Sequence, residues 1–121
     1  MSLTAIRVAD LQRSVEFYTA GCGFALEREF STDLFDAMIL RAGTAGIELL
    51  RPRDAAAAPD HGNMFAKMVV NTRDVDGLVA LACAHGGTAE MPVTELEAFG
   101  GMVVGSVRDP DGHLIEVVGR R

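Results

Sequence analysis

The chain has 121 residues, 49% hydrophobic and 23% charged, which is the make-up of one packed domain and not of a disordered segment. Seventeen acidic against eleven basic residues give a formal charge of −6, which argues against nucleic acid or an anionic membrane surface as partner, since both are held through basic faces. The longest apolar run, Leu78 to Ala84, is seven residues against the roughly 20 needed to cross a bilayer, and no basic segment followed by an apolar stretch opens the sequence, so the expected location is cytoplasmic.

In chain order, Leu3–Val8 reads as a strand. Asp10 is placed to cap a helix over Leu11–Ala20, its carboxylate accepting from the free amides of the first turn. Leu11, Val15 and Tyr18 give that helix an apolar stripe, so Tyr18 is read as core. Gly21 and Gly23 end it, with Cys22 between them in a structural role. Strands follow at Ala25–Phe30, Phe35–Arg41 and Gly46–Arg51. Pro52 to Asn63, with two prolines and four consecutive alanines, reads as a linker. Met64–Asn71 is the next strand. Asp74 caps a second helix whose stripe is Val75, Leu78, Val79, Ala82 and Cys83, so Cys83 reads as an inert core thiol. Gly86-Gly87 stop it. Thr88–Met91, Met102–Val107 and His113–Val118 are strands, the last two joined by a turn at Asp109-Pro110-Asp111-Gly112.

The order repeats. Ile47-Glu48-Leu49-Leu50 and Ile115-Glu116-Val117-Val118 are alike, and each closes one half of the chain. Each half reads β-α-β-β-β, so the expected class is α+β, with modules at 1–51 and 64–121 joined by a linker at 52–63.

Four segments together resemble the vicinal-oxygen-chelate superfamily of glyoxalase I, bleomycin-resistance proteins, extradiol dioxygenases and methylmalonyl-CoA epimerase. They are Val8-Ala9-Asp10-Leu11-Gln12-Arg13-Ser14-Val15-Glu16-Phe17-Tyr18, Gly23-Phe24, Ile47-Glu48-Leu49, and Asp109-Pro110-Asp111-Gly112-His113-Leu114-Ile115-Glu116. The resemblance implies two βαβββ modules forming a curved mixed sheet around a cup, and a homodimer in which modules of two chains can share a cup. It also implies four metal-ligand positions, one on the first and one on the last strand of each module. Carried over, these fall at Leu3, Glu48, Lys67 (to within one residue) and Glu116. Leucine has no lone pair, and a protonated lysine repels a cation. Two carboxylates alone make a poor transition-metal site, so the expectation is a member without an intact metal site and without a cofactor.

Read without the family, alternation turns Glu48 and Glu116 away from their apolar neighbours onto a second largely apolar face, where a carboxylate needs a partner. Lys67, among Phe65, Ala66, Met68 and Val69, is the candidate counter-charge. Three readings of Glu48, Lys67 and Glu116 stay open: an ion-pair remnant in a binding pocket; a catalytic group with lysine polarising a carbonyl and a glutamate taking the adjacent proton; or a metal held by other ligands. His61, carried by a linker able to fold over a cup mouth, is a ligand candidate for the last. Otherwise His61, His85 and His113 read as surface or structural. The function expected is binding of an unidentified small molecule in an apolar cup, with Met38, Met64, Met68, Met91 and Met102 as adaptable lining. The alternative is a lyase or isomerase of the glyoxalase type using Lys67 in place of the metal.

Overall fold

A computed structural model of the chain describes residues 3–54 and 59–120. The repeat is real in space. The first module runs β1 (Thr4–Arg7), α1 (Leu11–Glu16), a π-helical turn (Phe17–Gly21), β2 (Ala25–Ser31), β3 (Phe35–Ala42) and β4 (Ala45–Pro52). The second runs β5 (Met68–Asn71), α2 (Val75–Ala84), β6 (Thr88–Leu96), a 3-10 turn (Glu97–Phe99), β7 (Met102–Arg108) and β8 (Leu114–Arg120). The strand orders are β1-β4-β3-β2 and β5-β8-β7-β6. In each sheet the first strand is parallel to the last and the other pairings are antiparallel. Each module thus carries its own four-stranded mixed sheet, as the α+β reading of two βαβββ modules expected.

Both caps form: Asp10 Oδ1 accepts from the Arg13 amide at 3.1 Å, and Asp74 Oδ1 from the Gly77 amide at 2.9 Å. The first helix does not stay α-helical to Ala20 but widens from Phe17. A wider turn changes the angle between successive side chains, and here Phe17 and Tyr18, consecutive in sequence, are both buried with their rings edge-on at 4.8 Å.

The strand expected over Met64–Asn71 begins only at Met68, so Lys67 stands just ahead of the sheet and not inside a strand. Met68 pairs with Ile115, one residue into β8. Upstream of β8 the chain is in the Asp109–Gly112 turn, which offers no ladder, and Met64 is 95% exposed. The strand expected over Thr88–Met91 runs on to Leu96 with two register shifts around Pro92. Those shifts break the alternation by which a strand is recognised. Of the expected linker, Pro52 belongs to β4, and Ala55–Ala58 lie outside the described residues.

One hydrophobic core serves both modules. Ile6, Val8, Phe17, Tyr18, Leu40, Ile47 and Leu49 of the first meet Val75, Ala82, Val103, Val107, Ile115 and Val117 of the second. The helices touch where a Cβ on Gly21 would come within 3.1 Å of the Ala82 backbone, so a larger residue there would push the helices apart by a few tenths of an ångström. Cys22 is buried beside it, its thiol pushed up to about 12 by burial and by the charge of Asp109. It is an inert thiol.

The modules are also joined by hydrogen bonds from the turn between β7 and β8. Asp109 Oδ2 accepts from the Tyr18 hydroxyl at 2.6 Å and from His113 Nδ1 at 3.0 Å, and Asp109 Oδ1 accepts from the His113 and Asp111 amides. Asp111 reaches the same helix, accepting from the Ala9 amide at 3.0 Å and the Ser14 hydroxyl at 3.2 Å. Gly112, at φ 94°, closes the turn with its amide on the Asp109 carbonyl. Burial alone would raise Asp109, but the bonds from His113 and Tyr18 outweigh it and hold the carboxyl below its ordinary 3.8. Its hydrogen bond to Asp109 raises His113 above 6.5 against the opposing effect of burial.

The linkage has a definite sign. The Asp109 contribution is present above its unfolded value and is lost as pH falls through the lowered folded value. The His113 contribution is complete below about 6.5 and is lost as pH rises through the raised folded value. Stability from this network is therefore greatest between about pH 4 and 6.5. Urea unfolding from pH 3 to 9 should show that maximum, and His113→Gln should remove the decline on its alkaline side. A His113→Gln profile parallel to wild type would refute the assignment.

Candidate functional site

The two glutamates singled out by the repeat stand at equivalent places. On β4, Ile47 and Leu49 are buried toward the helices, while Glu48 and Leu50 turn to the opposite face and are half-buried. On β8, Ile115 and Val117 are buried, while Glu116 and Val118 face away. Glu48 lies between Ala5 of β1 and Ile39 of β3. Glu116 lies between Val69 of β5 and Ser106 of β7.

The same register places Leu3 and Lys67 in correspondence. Each precedes by two residues the one that faces its glutamate, Ala5 or Val69. Leu3 lays its side chain over Gly46, where any Cβ would come within 2.7 Å of its Cδ2. Lys67 instead turns its Nζ to Glu116 Oε2 at 2.7 Å. The structure thus brings together two of the three residues Glu48, Lys67 and Glu116. Among the described residues no hydrogen bond or ion pair joins Glu48 to the other two.

Lys67 also lines a cavity of about 320 Å³ between the modules. Thr4 and Ile47 contribute from the first module, Met68, Val69 and Ile115 from the second, and Phe65 from the connecting segment. Lys67 is the one charged residue among the described residues that line it. Apart from Thr4 the rest of the lining is apolar, with room for a small organic molecule.

The comparisons with known proteins agree with this architecture. Residues 1–117 match the sequence profile of the Glyoxalase/Bleomycin resistance protein/Dioxygenase superfamily. The chain belongs to that superfamily. It is 31% identical over 119 residues to lactoylglutathione lyase GLX1 of Arabidopsis thaliana, covering 94% of this chain and 42% of the plant protein. It is 27% identical to a probable lactoylglutathione lyase of Vibrio cholerae, covering 95% of this chain and 86% of that protein. The chain therefore spans less than half the length of the plant relatives it matches. Among solved structures, glyoxalase I from Zea mays superposes with a TM-score of 0.87 at 25% identity, over 99% of this chain and 44% of that one. A glyoxalase-related enzyme from Fulvimarina pelagi superposes at 0.76 and 22% identity, over 99% and 87%.

The superfamily's metal enzymes imply a metal, but the side chains here do not fit one. Leu3 presents hydrocarbon, and Lys67 presents an ammonium already bound to one of the two carboxylates. Among the described residues no three of His, Cys, Asp and Glu come together as a ligand group. His61 does not supply the missing donor. Its ring lies against the backbone carbonyl of Asp111, to which Nε2 donates, and edge-on to His113 at 4.9 Å. His85 approaches Glu16 at 3.6 Å, and His113 is committed to Asp109. The sequence reads Asp109 as part of a turn and His113 as surface or structural; the structure joins the two in one buried pair. Their signal was the pairing of an Asp with a His four residues on across a tight turn.

The Lys67–Glu116 pair is an ion pair at a rim, with side chains 42% and 26% exposed. Pairs of that exposure contribute little, about 0–1 kcal/mol. Lys67→Met should therefore change unfolding free energy by less than about 1 kcal/mol in either direction, and chemical denaturation checks it. A loss of several kcal/mol would mean that the pair holds the segment before β5 onto β8.

Proposed function

We propose that this chain is a small-molecule-binding member of the superfamily in which Lys67 and Glu116 take the ground of a metal-ligand pair. The observation that carries this reading is the apolar cavity between the modules, with one ammonium in its wall held at 2.7 Å by Glu116. A fixed cation in an otherwise apolar cavity favours a ligand with a carbonyl, carboxylate or other oxygen acceptor at one end and hydrocarbon at the other. Thr4 is the proposed second polar contact, since Glu48 turns to the sheet face opposite Ile47 and does not line this cavity. Assembly as a homodimer, with a cup shared between chains, is part of the same proposal.

A second reading is favoured by the relatives named as lactoylglutathione lyases. In it, Lys67 polarises a substrate carbonyl and Glu48 takes the proton from the adjacent carbon, leaving an enolate whose charge the ammonium balances. The two readings give different results in one set of assays. Binding alone predicts no lactoylglutathione lyase activity, with or without added nickel or zinc, and less than stoichiometric metal by elemental mass spectrometry. Metal-free catalysis predicts turnover that Lys67→Met and Glu48→Gln both abolish while the fold survives. Stoichiometric metal in protein purified without chelator would overturn both.

The register makes a further prediction. Leu3→His with Lys67→His should create nickel or zinc affinity detectable by calorimetry, because it restores imidazole at both first-strand positions beside the two glutamates. No gain of affinity in the folded double variant would show that the four positions do not converge.

A further inference from the structure

Lys67 is the one lysine in the sequence, against ten arginines. Arginine holds carboxylates elsewhere in the chain, at Arg13, Arg41, Arg53 and Arg108. The single side-chain primary amine stands with an apolar cavity on one side of it and a carboxylate on the other. We propose that this amine is a nucleophile that captures an aldehyde with a hydrocarbon tail as an imine, with Glu116 moving the protons. Such capture rests on the reading of the cavity as a ligand site, and adds to it a ligand class and a covalent step.

The choice of lysine matters because of what arginine cannot do. A guanidinium keeps its charge through the pH range in which proteins stay folded, and is no nucleophile. A primary amine that gives up a proton attacks carbonyl carbon. An ion pair, or a cation aimed at an oxygen, can be built from arginine, as this chain does at four other carboxylates. A carbon–nitrogen bond to a carbonyl cannot. The Lys67 side chain is 42% exposed, so a ligand can reach it, and its Nζ lies 2.7 Å from Glu116 Oε2, close enough for direct proton transfer. Glu116 is not part of the cavity lining. The amine therefore stands between the ligand space and its base, and the carboxylate does not block the approach.

The protons balance around this pair. Glu116 takes one proton from the ammonium, and the free amine adds to the aldehyde carbon. As the carbon–nitrogen bond forms, a nitrogen proton passes to the carbonyl oxygen and leaves a hydroxyl. Glu116 returns its proton to that hydroxyl, the carbon–oxygen bond breaks and water departs. The product is a protonated imine whose charge stays beside the Glu116 carboxylate, and no oxidant or reductant is consumed. The hydrocarbon tail follows from the lining, where Phe24, Ile47, Phe65, Met68 and Ile115 present apolar surface. At about 30 Å³ per water a cavity of about 320 Å³ holds about ten waters, or an aldehyde with one ring or a chain of about six carbons.

The test is reductive trapping with hexanal and sodium cyanoborohydride near neutral pH, read by intact mass and by peptide mapping. The mapping separates Lys67 from the α-amine of the chain. One hexyl group should appear on Lys67, at least about tenfold faster than on Nα-acetyllysine in the same solution. Glu116→Gln keeps the amine and should slow the labelling about tenfold. Wild type unfolded in urea should lose the advantage over Nα-acetyllysine, a control that stands if Glu116→Gln fails to fold. Hexanamide offers the same chain and oxygen without condensing, so its titration, followed by NMR shifts of Phe65 and Ile115, reads the cavity alone. Saturable shifts with Lys67 labelled no faster than Nα-acetyllysine would overturn the imine and leave the cavity reading intact. Neither shifts nor faster labelling would overturn both. Folded Glu116→Gln labelled at the wild-type rate, or urea-unfolded protein labelled as fast as native, would also overturn the assignment.

Discussion

The structure depends on the carboxylate of Asp109. It sits buried at the turn between β7 and β8 of the second module and takes the hydroxyl of Tyr18 from the helix of the first. An ionised carboxylate in that position is costly unless its oxygens are filled, and here they are filled from both modules at once. The aromatic that fills the core and the turn that starts β8 therefore have to be placed together. The widening of the first helix at Phe17–Gly21 belongs to the same arrangement, since it places Tyr18 and Phe17 in the core beside each other. Asp111 repeats the logic two residues on, accepting from the start of the same helix.

From this clamp the rest of the site geometry follows. Fixing the turn fixes where β8 begins, and so where β5 begins, because a parallel strand has no ladder before its neighbour starts. Lys67 is thereby left just ahead of β5, free of the sheet and able to swing its ammonium to Glu116. Leu3, at the corresponding place in the first module, meets Gly46 and lies flat over it. One backbone geometry thus carries two different side-chain outcomes, a cation paired with a carboxylate in one module and a hydrocarbon cover in the other. Neither the Leu3 side chain nor the paired Lys67 ammonium offers a lone pair to a metal.

Phe65 divides the space between the modules. On one side is the apolar cavity with Lys67 in its wall, and on the other a smaller pocket with Arg7 and His113. Both lie beside the connecting segment, the part of the chain with the least regular structure among the described residues after β4. Connections of this kind tolerate change better than strands, and binding specificity can vary there without disturbing the core.

The sequence by itself determined the modules, the two caps, the position of each glutamate on its strand and the superfamily. Each of these is written locally, in periods, caps and turns. The pattern Ile-Glu-Leu-Leu against Ile-Glu-Val-Val was sufficient to pair Glu48 with Glu116 as equivalents. Periodicity failed where a distant partner overrode it. Met64–Lys67 looks like strand but has no strand beside it, and β6 is longer than its alternation because bulges around Pro92 absorb the misfit. What only the tertiary structure decided was which charges meet. Lys67 reaches Glu116 and not Glu48, and His113 is bound inward to Asp109 while His61 crosses to the same turn. The contacts of Lys67 and His61 link residues 49 and 50 positions apart in the chain. Side chains that far apart are neighbours only because two sheets and two helices close on a common core, and no local pattern of residues specifies that closure.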